Sequence, residues 1–305
     1  MKQIALKIDV DTYRGTREGV PRLMETLKKY DAQATFFFSL GPDHTGRAIK
    51  HVFRPGFMGK VSRTSVLEHY GLKTLLYGTL LPGPDIGRNC AQILRSVQDA
   101  GFETGIHCFD HVRWKDHVAD ENAEWTRREM QRAVDRYTEI FGVPPKSHAA
   151  AGWQMNRHAL RLTQGLGFTY SSDTRGTHPF TPMWNAEIVA CPQLPTTLPT
   201  LDEIIGCDDI TPGNAAQDLL KMTVSSADTG HVFTLHAELE GGKWLPVFEQ
   251  LLSGWKEQGY LLVSLRQYLD NLTGSLPRHE VKTGTVAGRS GILAVQGSPA
   301  SIPFA

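Results

Sequence analysis

The sequence predicts an α/β domain in which parallel strands are joined by helical crossovers, closed as a barrel or opened as a doubly wound sheet. Three observations lead there. The chain opens strand–helix–strand. Six or seven such units follow one another within about 270 of its 305 residues. Several apolar runs end in carboxylates or histidines, where folds of this class gather functional side chains.

Residues 4–8 (IALKI) are an apolar-biased run that stops at Asp9, a short buried strand whose C-terminal end delivers Asp9 and Asp11. Over 17–30, Val20, Leu23, Met24 and Leu27 recur at helical spacing, and Pro21 falls in a first turn where its missing N–H is harmless. ATFFFSLG (34–41) is a second strand, rich in aromatics. Residues 87–101 make an amphipathic helix stopped by Gly101, and 102–109 a strand. A long helix over 119–141 carries many i,i+4 charge pairs. PPKSHAAAGW then gives a strand and loop, RHALRLTQGLG a helix and FTYSSDT a strand. A helix over 214–228, a strand over 231–238, a helix over 244–258 and a final strand and turn in YLLVSLRQYL complete the pattern. One domain over 1–272 is therefore expected, with a loose tail over 273–305, where Gly, Ser, Thr and Pro replace periodic apolar residues.

The 32 Lys and Arg balance the 32 Asp and Glu, which argues against a globally basic nucleic-acid binder. No uncharged apolar run is long enough to span a membrane, and MKQIALKIDVD meets carboxylates too soon for a signal peptide. Cys90, Cys108, Cys191 and Cys207 show no CxxC spacing. A reduced, cytoplasmic protein is expected. Residues 46–88 interrupt the rhythm as an insertion. Between Gly46 and Leu81 six Lys or Arg face one acid, Glu68, among Phe53, Phe57, Met58, Leu75, Leu76 and Tyr77. That mixture suits either an element facing anionic lipid or an insertion packed on the core with a solvated basic face.

The strand ends supply the chemistry. His107 and His111 in GIHCFDH are four apart, so a helix or turn would set two imidazoles on one side to share a divalent metal; two incidental loop histidines are the other reading. Asp9 and Asp11 lie two apart, on one face of a strand, as ligand and base or as a turn-forming pair. His236 ends a very apolar strand, as a site residue or a core histidine, and Asp173 either orients a catalytic group or caps a turn. Cys108 should point away into the core.

In this order the pieces resemble the polysaccharide deacetylase (NodB-homology) family of carbohydrate esterases, from about residue 4 to about residue 270. KIDVDT, ATFFF, HCFDH, FTYSSDT and FTLHAE carry the likeness. It implies a distorted (β/α) barrel with about seven parallel strands and a divalent metal held by Asp11, His107 and His111. Zinc is the first choice for such donors, with Co²⁺, Mn²⁺ or Ni²⁺ also suited. It further implies Asp9 as general base, His236 as general acid and Asp173 as the residue that orients it. Two departures stand out. Val10 separates aspartates that are commonly adjacent in the family, and PPKSHAAAGW lacks the arginine that pairs with the base, leaving Arg175 or Lys146 as substitutes. GIHCFDHVRWKDHVAD, HAAAGWQ, YSSDTRG and FTLHAELEGG look like the branch that deformylates a formamido-arabinose carried on undecaprenyl phosphate, a step toward lipid A modification and polymyxin resistance. A lipid-linked substrate favours the insertion as a contact with the anionic inner-membrane surface. No protein partner is predicted. A soluble deacetylase of another N-acylated sugar or small amide is the alternative, and a non-catalytic binding module on the same scaffold a further one.

Overall fold

The computed structural model describes residues 2–51, 71–225 and 229–300. Strand β1 (Gln3–Val10) is buried along its whole length because it is central. On one edge it pairs in parallel with β8 (His231–His236); β2 (Thr35–Ser39) and β9 (Leu261–Val263) share the other. Beyond β2 follow β3 (Glu103–Cys108), β4 (Ser147–His148) and β5 (Tyr170–Ser171), all parallel, giving the seven-stranded order β5-β4-β3-β2-β1-β8 with β9 beside the start of β1. Strands buried on both faces show no polar side, which is why IALKI and TFFF read as near-continuous apolar runs. Between the outer strands β5 and β8 the chain is bridged without a regular strand: Ser171 pairs with Gln193, and the Val232 carbonyl accepts from the N–H of Thr197. This is the expected distorted barrel.

Helices α1 (Val20–Lys29), α2 (Ile86–Asn89), α3 (Ala91–Asp99), α4 (His111–His117), α5 (Ala123–Phe141), α6 (Arg157–Gly165), α7 (Leu201–Ile204), α8 (Ala215–Met222), α9 (Leu245–Glu257) and α10 (Leu265–Asp270) accompany the strands. The helix expected from 119 begins at Ala123, where the Asn122 side chain accepts from the N–H of Trp125, and it stops at Gly142 in left-handed conformation. The expected final turn is a helix, α10, started by a reciprocal capping box between Ser264 and Gln267.

Alternation sorts the side chains of the sheet. Ile4, Leu6, Ile8 and Val10 of β1 and Phe36 and Phe38 of β2 join the large core under the helices. Ala5 and Phe37 turn the other way, into a smaller core with Tyr170, Val232 and Val263 inside the barrel. Lys7 and Asp9 continue the Ala5 parity, His236 that of Val232, and His107 that of Gly105. Gly105 itself must be a glycine: a Cβ there would lie 2.6 Å from the Phe37 ring that fills the interior.

The C-terminal region corrects the sequence expectation. Instead of a loose tail, β10 (Arg278–Gly284) and β11 (Leu293–Pro299) pair antiparallel, and β10 joins β6 (Thr181–Trp184) and β7 (Glu187–Ile188) in a four-stranded sheet. Only Val281, Leu293 and Ala294 supply buried apolar anchors along these two polar strands, so backbone pairing orders them and composition conceals it. Of the insertion, residues 52–70 lie outside the described residues; its flanks meet where the N–H of Gly46 donates to the Tyr77 carbonyl. Among the described residues no helix is long and apolar enough to cross a membrane.

Candidate metal and catalytic site

At the C-terminal ends of β1 and β3, Asp11, His107 and His111 converge. One donor atom from each lies within 4.8 Å of the others. His107 Nε2 is 3.2 Å from Asp11 Oδ1, and His111 Nε2 is 3.3 Å from Asp11 Oδ2. The four-residue spacing works differently from a helical pair: His107 closes β3 and His111 is the first residue of α4. The turn between them is fixed by Asp110, which accepts from the N–H of Arg113 at 3.1 Å and meets His44 Nδ1 at 2.6 Å. Asp11 is held from behind. The buried Glu238 accepts from the backbone N–H groups of Asp11 and Thr12 and from the Thr12 hydroxyl, at 2.7–3.0 Å. Gly15 must be a glycine here, since a Cβ would fall 2.0 Å from Glu238 Oε1.

Electrostatics favour a cation among these donors. Burial works to raise the Asp11 pKa, but the His111 and His107 imidazoles reverse this and hold it well below the usual carboxylate range. Burial pushes His111 down to about 4, so at neutral pH its Nε2 offers a lone pair. Burial also works against charge on His107, and Asp9 and Asp11 together still raise its pKa. Asp9 Oδ1 and Asp11 Oδ1 are buried without a hydrogen-bond donor. Two imidazoles and a carboxylate with these unsatisfied oxygens fit a divalent metal ion.

Asp9 lies one inward step back on β1, 3% exposed, with Oδ1 3.8 Å from His107 Nδ1. Its cation is neither Arg175 nor Lys146. Arg175 pairs with Glu203, and Lys146 is exposed. Lys7, fully buried two residues before Asp9, places Nζ 3.3 Å from Asp9 Oδ2 and donates to the Ser172 carbonyl at 3.2 Å. The i,i+2 step that sets Asp9 and Asp11 on one face sets Lys7 there too; the sequence signal was a lysine inside a buried strand.

His236 stands opposite Asp9 in the β1–β8 register. Asp173 does not reach it. Asp173 instead binds His148 Nδ1 at 2.7 Å, the N–H of Ala150 at 2.9 Å and the Gln193 amide at 3.1 Å, so it braces the HAAAGW loop. The carboxylate beside His236 is Asp202, from α7, with Oδ1 4.0 Å from Nδ1. Glu240 accepts from the His236 backbone N–H at 2.8 Å, and burial pushes its carboxyl up to about 8. Neither Asp202 nor Arg289, which contacts it, stood out in the sequence, because 174–213 and the chain after 276 lack periodicity. One mouth of the barrel thus collects a cluster suited to a cation, a carboxylate with its own lysine, and a histidine across from it. These groups can bind a carbonyl, accept a proton from water and deliver one to a leaving group.

The polysaccharide deacetylase family model matches residues 1–171. Over 296 residues the chain is 37% identical to a protein of Shewanella sediminis (strain HAW-EB3) named probable 4-deoxy-4-formamido-L-arabinose-phosphoundecaprenol deformylase ArnD, covering 97% of this chain and 95% of that one. A protein of Wigglesworthia glossinidia brevipalpis with the same name is 30% identical over 283 residues, covering 92% and 98%. A solved probable polysaccharide deacetylase of Pseudomonas aeruginosa PAO1 shares the fold at 14% identity with a TM-score of 0.59, covering 88% of this chain and 90% of that one.

Proposed function

The chain belongs to the polysaccharide deacetylase family, and on that premise we propose that it hydrolyses the N-formyl group of a 4-deoxy-4-formamido-L-arabinose carried on undecaprenyl phosphate. The observation that carries the reading is the convergence of Asp11, His107 and His111 beside Asp9 and His236. Similarity along nearly the whole chain to proteins named for this deformylation supports the choice of substrate. Asp11, His107 and His111 would hold a divalent ion, zinc or else cobalt, manganese or nickel. Such an ion would polarise the formyl carbonyl and acidify water. Asp9, with Lys7 as its counter-ion, accepts the proton of the attacking water. His236 returns a proton to the sugar nitrogen as the C–N bond breaks, leaving formate and a free amine.

A polyprenyl substrate stays in its bilayer, since each buried CH₂ is worth about 0.8 kcal/mol, so the enzyme works at the cytoplasmic face of the inner membrane. We read residues 46–88 as the membrane contact of this enzyme. Leu72 and Leu80, on the described flank, are 67% and 81% exposed, which supports this.

The test is formate release from the lipid-linked formamido sugar with metal analysis of the same preparation. Asp9→Ala and His236→Ala should each lose activity by about a hundredfold or more. Wild-type rates in both would overturn the acid and base assignment. Equal rates on a short, lipid-free analogue would favour a soluble deacetylase.

A further inference from the structure

We propose that Arg289 and Asp202 are positioning residues for His236, which makes the C-terminal strand pair a working part of the active site. The inference rests on the reading of His236 as general acid. To donate from Nε2, the imidazole must keep its other nitrogen protonated and its ring fixed, and a carboxylate facing Nδ1 does both. His236 Nδ1 is buried and has no hydrogen-bond partner. Among the described residues, the carboxylate oxygen within ion-pair distance of it is Asp202 Oδ1, at 4.0 Å. Asp173 is committed to His148. A contact of this length closes to a hydrogen bond when substrate settles the ring.

Asp202 is aimed from two sides. The Thr200 hydroxyl donates to Asp202 Oδ1 at 2.6 Å, and Arg289 Nη2 donates to the same oxygen at 3.2 Å. Arg289 Nε meanwhile donates to Glu203 Oε1 at 2.8 Å, so one planar fork spans adjacent carboxylates of α7. The guanidinium lies over the Trp153 ring, 4.6 Å from its centroid. Trp153 is 1% exposed and sits with Gly152 in left-handed conformation, φ 53° and 61°, a costly backbone for a tryptophan that presents its face to Arg289 and Arg175. Arg289 arrives on the loop between β10 and β11, and the residue before it sets the approach. Gly288 has φ +77°, and a Cβ there would be 2.2 Å from the Glu203 carbonyl oxygen. The hairpin therefore touches α7 backbone to backbone and drops its arginine onto Asp202.

Steady-state formate release from the lipid-linked sugar tests this, with metal content and thermal midpoint measured on each protein. Asp202→Asn and Arg289→Ala should lower kcat by roughly 10- to 100-fold while KM and bound metal hold. Arg289→Lys should fall between wild type and Arg289→Ala, because it restores charge without the fork. Added guanidinium should recover part of the Arg289→Ala rate. The double variant should be no slower than Asp202→Asn alone, since both act through one contact. Wild-type kcat in Arg289→Ala, or losses that multiply in the double variant, would overturn the proposal. His236→Ala separates the two levels: if it keeps full activity, the acid assignment fails. If it is inactive while Asp202→Asn and Arg289→Ala are not, only the positioning network fails.

Discussion

Lys7 is completely buried in the middle of β1, with Asp9 Oδ2 3.3 Å from its ammonium. Burial lowers its pKa, and the Asp9 charge pulls it back. Removing one member of such a pair leaves the other charge stranded in the barrel, at a cost of about 3–5 kcal/mol. Lys7→Met should therefore lose about that much in urea unfolding and most of its activity. Adding Asp9→Asn should restore stability but not activity; an additive second loss would show that the pair is not coupled. Glu240 makes the second residue-scale case. Its carboxyl is raised by burial from 4.5 to about 8, so the folded chain binds a proton that the unfolded chain releases between those values. Stability should fall as pH rises through that window, by up to roughly 5 kcal/mol in all. Glu240→Gln should flatten that slope and overtake wild type near pH 8; parallel pH–stability curves would refute this. Asp9, Asp11, His107, His111 and His236 could be found in the sequence because polar groups ending apolar runs are conspicuous. Lys7 was missed, although a lysine inside the buried run IALKI was its signal, because it interrupts the run and does not end it.

At the scale of elements, period-two alternation carried most of the legible site: it sets Ala5, Lys7, Asp9 and Val232, His236 on inward faces before any contact is known. It could not reveal α7 or β10–β11. Four residues make a helix too short for a periodic signal, and RHEVKTG and LAVQGSP gain their order from pairing with each other and, through RHEVKTG, with β6. The start of α4 offers a direct test. Asp110 caps it through the N–H of Arg113, and His111 is its first residue. Asp110→Ala should cost about 1 kcal/mol of stability as a lost cap. It should also weaken zinc or cobalt binding about tenfold in calorimetric titration, because the cap places His111 at the helix start. Asp110→Asn keeps a cap acceptor and should bind metal more tightly than the alanine variant. Unchanged affinity in Asp110→Ala would mean that the cap does not place His111.

For the whole molecule, 32 positive and 32 negative charges cancel, yet the cancellation is uneven along the chain. Acids gather at the mouth of the barrel, at Asp9, Asp11, Asp202 and Glu238, while between Gly46 and Leu81 six Lys or Arg face the single Glu68. The described flank of that segment adds Leu72 and Leu80 to solvent, beside Lys73. Charge and apolar surface make separable contributions to membrane binding. The charge part acts through solution and fades as the screening length shrinks from about 30 Å at 0.01 M salt to about 3 Å at 1 M. The apolar part does not fade. Sedimentation with vesicles should therefore show strong binding to anionic lipid at low salt, weak binding to zwitterionic lipid, and a residue of binding to anionic lipid that survives high salt. Replacing Leu72 and Leu80 together by Asp should remove that residue and leave formate release from a short, lipid-free analogue unchanged. Replacing Arg47 and Lys73 by Gln should instead weaken the salt-sensitive part, by up to about 1 kcal/mol for each charge removed. Binding that ignores both lipid charge and salt would rule out residues 46–88 as an electrostatic contact.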